Sequence, residues 1–130
     1  MMYLAYLFTG LAAFIHFYIF VVESLLWGKP RTNKVFRITP EQAEQNRQFA
    51  FNQGFYNLFL AIAAAAGSIL CATGTITIGF TLMAYATLSM LAAALVLICS
   101  QRNLIRAALI QGLPPLLALI CLFAIARISF

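Results

Sequence analysis

Two side chains able to exchange or balance a proton, His16 and Glu23, lie inside the first long apolar run of the chain. Seven residues apart on a 3.6-residue period, they differ by only about 20° in azimuth. Thr9, Phe20 and Trp27 fall on nearly the same line. With Trp27 at a membrane interface, Glu23 lies about 6 Å deep and His16 about 16 Å deep. An ionisable group at such a depth costs at least a few kcal/mol on insertion scales, so each one needs a reason to be there. His16 and Glu23 are therefore the candidate catalytic pair, with His16 exchanging a proton and Glu23 orienting or balancing it.

A second polar set lies further along. Glu44, Gln45, Gln48, Asn52 and Tyr56 fall within an arc of about 120° on a helix, and Gln53 and Asn57 continue its flank. The run from Asn52 to Asn57 places four polar side chains in six residues. An amide can donate to a carboxylate and accept from an imidazolium, so these groups complement the first pair. Gly54, in the middle of the run, lets another backbone or a ligand come close. Gln111 adds a further amide and is followed by Pro114-Pro115, a pair that frees carbonyls and is expected to kink its helix. Asn52, Gln53, Tyr56, Asn57 and Gln111 are the candidate ligand-binding residues, with Trp27 and Arg47 at the interface. The competing account is interhelical glue, at about 0.6 kcal/mol per hydrogen bond. Glue needs two or three groups, whereas this set is larger and concentrated in one leaflet, which favours a polar cavity.

No nucleophile motif, metal-ligand set or nucleotide loop accompanies these residues, so no cofactor is assigned. His16, without a second ligand, gives haem little to bind. Cys71, Cys99 and Cys121 all lie in apolar runs with no CxxC spacing and read as packing residues.

The elements that hold these groups follow from composition. Of 130 residues, 64% are hydrophobic and 8% charged, against about 25% charged in soluble domains. That excludes an ordinary water-soluble fold. The net charge of +5 comes from basic residues set between apolar runs, where they orient a membrane protein rather than bind nucleic acid. Four segments are long enough to cross a bilayer: residues 2–27, 49–73, 76–100 and 104–128. The first lacks the positive start of a signal peptide and is expected to stay as a permanent helix. Thr39-Pro40-Glu41-Gln42 forms a capping-box start, which extends the second helix to residues 40–73 without a break. Residues 29–37 are expected to form a basic loop against anionic head groups. Two tight connections make the fold a single all-α, integral membrane four-helix bundle with its second helix extended into the cytoplasm.

Orientation comes from counting charges. Lys29, Arg31, Lys34, Arg37 and Arg47, together with Arg102 and Arg106, lie on one side, and Arg127 lies alone on the other. The positive-inside rule then places both termini in the periplasm of a bacterial inner membrane.

The pattern of His16, Glu23, Trp27, Phe36 and Ala50, then Asn52-Gln53-Gly54-Phe55-Tyr56-Asn57 and Phe59-Leu60-Ala61, resembles a family of small four-helix bacterial membrane proteins catalogued as a domain of unknown function. The resemblance covers essentially the whole chain, is most specific at the NQGxYN string, and implies four membrane helices but no activity. The chain is also similar, more weakly, to the membrane-associated eicosanoid and glutathione metabolism proteins. Those are four-helix trimers with Arg and Asn on the second helix, places that Arg47 and Asn52 would take. Phe55 and Tyr56 stand where that family carries an acidic residue, so no catalytic role carries over.

Three functions fit these residues. The first is an intramembrane cavity, open toward the cytoplasm, for a lipophilic small molecule, with acid–base chemistry at His16 and Glu23. The second is a proton-coupled small transporter titrating at Glu23. The third is a non-enzymatic assembly protein whose small-residue runs, Ala61–Ala66 and Ala92–Ala94, recruit partners or further copies of the chain.

Overall fold

A computed structural model describes residues 1–129. Among them, six α-helices follow in order: α1 (Met2–Phe20), α2 (Pro30–Phe36), α3 (Pro40–Gln45), α4 (Arg47–Ala72), α5 (Ile76–Ser100) and α6 (Ile105–Ser129). A π-helical turn, Val21–Leu25, prolongs α1, and a 3-10 turn, Arg102–Leu104, leads into α6. Four spans are long and apolar enough to cross a membrane: Met2–Leu25, Arg47–Ala72, Ile76–Ser100 and Arg102–Ile128. The protein is a multi-pass membrane protein.

The four long helices form a ring in which α1 packs on α4 and α6, and α5 packs on the same two from the opposite corner. Small residues face inward. Ala12, Ala13, Ala61, Ala64 and Ala86 gather around Met90 at mid-height, and Ala5, Cys71, Met83, Cys121 and Leu122 close the end bearing the α4–α5 turn. Large apolar side chains such as Leu7, Phe14, Ile62, Leu88 and Phe123 point outward. This inverted arrangement suits lipid, where close backbone approach rather than the hydrophobic effect drives helix association.

α4 and α5 come close enough for backbone contact. A Cβ added at Gly67 would lie 2.8 Å from the Gly79 carbonyl oxygen, and one at Gly79 would lie 2.6 Å from the Gly67 oxygen and overlap the Cys71 backbone nitrogen. Two glycines facing each other thus allow near backbone contact just before the turn, which Gly74 closes at φ +97°.

Two expectations about helix boundaries are corrected. The basic segment 29–37 is not a plain loop, because residues Pro30–Phe36 form α2. Pro30 stands at the helix start, and Arg37, at φ 55°, ends it in the left-handed conformation. The Ile38 N–H donates to the Asn33 carbonyl at 3.0 Å and the Arg37 N–H to the Lys34 carbonyl at 3.3 Å, which together form a Schellman closure. Such a stop ordinarily carries glycine, so Arg37 hid it. The run from residue 40 into the second span is interrupted at Asn46 (φ −100°, ψ 4°), which separates α3 from α4. The capping box itself is present, with the Gln42 N–H donating to Thr39 Oγ1 at 3.2 Å and the Thr39 N–H donating to Gln42 Oε1 at 2.9 Å. Finally, α6 runs through Pro114 and Pro115 without a break.

Candidate functional site

The end of the bundle bearing α2 and α3 is not filled. A cavity of about 880 Å³ lies there, bounded by α1 with its π turn, α2, and the adjacent ends of α4, α5 and α6. Its wall is largely apolar, and Glu23, Asn52, Gln53, Tyr56, Asn57 and Gln111 bring polar groups to it. With Trp27, seven of the expected site residues therefore share one space.

Glu23 holds its place through the π turn. In that turn the Leu26 N–H reaches back five residues to the Val21 carbonyl at 3.0 Å, and π turns of this kind frequently mark functional sites. The extra residue seats Glu23 and Ser24 against α4. Asn57 Nδ2 donates to Glu23 Oε2 at 3.0 Å and to the Gln53 backbone carbonyl at 3.1 Å. Ser24 Oγ donates to the Phe51 carbonyl at 2.9 Å. Gly54 makes room for this approach, since a Cβ there would overlap Ser24 Oγ and lie 3.0 Å from the Ser24 nitrogen. Gly54 was legible as a close-approach residue; Ser24, its counterpart, carried no signal beyond being a small hydroxyl near Glu23.

His16 does not join this group. It is 1% exposed, with Nδ1 2.9 Å from the Ala12 carbonyl, and does not border the cavity. Its expected alignment with Glu23 assumed 100° per residue throughout. The π turn breaks that rule below Phe20, and the bond to Ala12 holds the ring against its own helix. Phe20 packs on Phe55, with ring centroids 5.1 Å apart. Thr9 stays inward, fully buried, its Oγ1 without a partner among the described residues.

Trp27 sits at the cavity's edge and ties three elements together. Its indole N–H donates to the Ala43 carbonyl at 2.8 Å, and its ring lies 5.0 Å from Phe36. In an unbroken helix that carbonyl would accept from the Arg47 N–H; the interruption at Asn46 leaves it to Trp27. Arg47 lies outside the cavity and pairs with Glu44 at 2.7 Å. The guanidinium's hydrogen bonds and charge hold the Glu44 carboxyl below the usual carboxylate range.

Thr81, Tyr85 and Ser89 of α5 do not border the cavity. Thr81 and Tyr85 are exposed, and Thr81 and Ser89 turn their hydroxyls onto carbonyls of their own helix. The residues α5 presents to the cavity are Ala93, Val96, Leu97 and Ser100. Pro114 and Pro115 do not border it either, but each lacks the N–H that would reach back four residues. The carbonyls so left are those of Ile110 and Gln111, both cavity-lining residues.

A family model described as "Protein of unknown function (DUF1304)" matches residues 10–123. No curated protein and no solved structure matches the chain.

Proposed function

Starting from a chain that belongs to the DUF1304 family of unknown function, we propose that this protein binds a lipophilic small molecule in the cavity at the polar end of its bundle. The observation that carries this reading is the cavity's make-up: about 880 Å³ of space between membrane helices, with a carboxylate and several amides set into an apolar wall. That is the usual constitution of small-molecule sites, an apolar enclosure with a few converging polar groups. Pure glue would satisfy its polar groups among themselves. Here Asn57 is engaged, but the Asn52, Gln53 and Gln111 side chains have no hydrogen-bond partner among the described residues.

The same end carries Lys29, Arg31, Lys34, Arg37, Arg47, Arg102 and Arg106. By the positive-inside rule it faces the cytoplasm, with both termini in the periplasm of a bacterial inner membrane. Glu23 and the amides of α4 and α6 are the binding groups, and Trp27 and Phe36 flank them.

The test is native mass spectrometry of protein released from membrane nanodiscs. Wild-type protein should carry a small-molecule adduct, and Ala107→Trp, which places an indole in the cavity, should abolish it. An adduct-free wild type, or an adduct indifferent to Ala107→Trp, overturns the reading.

A further inference from the structure

Building on that cavity reading, we infer that the occupant is an amphiphile with a cationic, hydrogen-donating head, of the alkylamine class, rather than one with an anionic head group. Three observations converge on this. Glu23 is the one charged side chain among the described residues lining the cavity, and none of the eight Lys and Arg residues borders it. An anionic head would face that carboxylate with no compensating cation, in a partly desolvated space where an unpaired charge is costly.

The free capacity at the carboxylate itself is likewise for acceptance, and the unpaired Asn52, Gln53 and Gln111 amides, which both donate and accept, favour neither kind of head. Glu23 Oε2 is occupied by Asn57 Nδ2, which leaves Oε1 without a donor among the described residues. Asn57, the donor nearest the carboxylate, divides its amide between Glu23 and the Gln53 carbonyl. It has little left for an anion. An ammonium head, with three donors and no acceptor, suits this inventory. Ile15, Ile19, Val22, Leu97 and Leu104 supply the apolar wall for its chain.

The chain's single tryptophan, Trp27, borders the cavity and serves as the reporter. Protein in neutral phosphatidylcholine nanodiscs at pH 7 would be titrated with dodecylamine, dodecanol and dodecyl sulfate, following Trp27 emission. Dodecylamine should bind about tenfold more tightly than dodecyl sulfate, as expected for replacing charge repulsion by charge pairing in a partly dry site. Glu23→Gln keeps an oxygen that can accept from Asn57, so the bundle should fold, as checked by circular dichroism. In that variant the amine should lose its advantage over the alcohol. Binding of the sulfate as tight as the amine, or an amine advantage that survives Glu23→Gln or Ala107→Phe, which fills the cavity without adding a second indole, overturns the assignment of head-group class. If the alcohol binds and Ala107→Phe blocks it, the cavity reading still stands in those cases. No Trp27 response to any of the three probes overturns both.

Discussion

Ser24 Oγ lies directly over Gly54, donating to the Phe51 carbonyl one turn earlier in α4. This contact locks the π turn of the first span onto the second and brings the neighbouring Glu23 within reach of Asn57. A side chain at residue 54 cannot be accommodated without moving one helix. Gly54→Ala should therefore destabilise the bundle by about 1–3 kcal/mol, as overpacking does. Unfolding in mixed micelles would measure it. Adding Ser24→Ala should recover part of the loss, and wild-type stability in the single variant would refute the close approach.

Asn57 supplies the hydrogen bond that the Glu23 carboxylate receives. Asn57→Leu removes that donor and leaves a partly buried acceptor unpaired, which should cost about 1–3 kcal/mol. Glu23→Gln should cost less, because an acceptor for Asn57 remains. The same unfolding assay distinguishes them, and a reversed order would contradict the Glu23–Asn57 pairing.

The α3 cap should be separable from the rest of the fold. Thr39→Ala loses one half of the capping box and should weaken that short helix by about 1 kcal/mol. Hydrogen exchange at the Gln42 amide should accelerate while exchange in α5 does not change.

The Glu44–Arg47 pair sets a pH window. Because Arg47 holds the folded Glu44 carboxyl below its ordinary range, the contribution of the pair is present above the ordinary carboxylate pKa. It is lost as pH falls through the depressed folded value. Both partners are exposed, so the effect on stability is small. Carbon NMR of the Glu44 carboxyl should show its titration moving upward in Arg47→Gln; an unmoved titration would dissolve the pair.

Topology is open to a direct check. A phosphatase reporter at the carboxyl end should be active in a bacterial host, and one inserted between Lys34 and Arg37 should be silent. The opposite result would turn the cavity toward the periplasm.

Much of this was legible in the sequence because lipid imposes a strict grammar. Hydropathy alone delimited four spans, tight turns fixed their antiparallel order, and the cost of burying Glu23 pointed to the amides of α4. The features that escaped were those without a compositional mark. A π turn leaves no periodic signature over five residues, so the azimuth of Glu23 relative to His16 was extrapolated through it. Arg37 took a conformation that usually announces itself with glycine. Asn46 broke a helix whose flanking residues favour continuing, and the Ala43 carbonyl left over is taken by the Trp27 indole. In each case a tertiary contact or a local backbone state overrode a pattern read along one strand of residues.

The facing glycines Gly67 and Gly79 have a mechanical consequence. They hold α4 to α5 near the turn, while Ser24 against Gly54 holds α4 to the first span beside the cavity. From Gly67 to Gly54 is thirteen residues, or about 20 Å of helix. α4 is thus a beam resting on two supports, each a glycine, and each support ties it to a different neighbour. The polar groups Gln53 and Asn57 flank the second support, so their position is set by the beam and not by a loop.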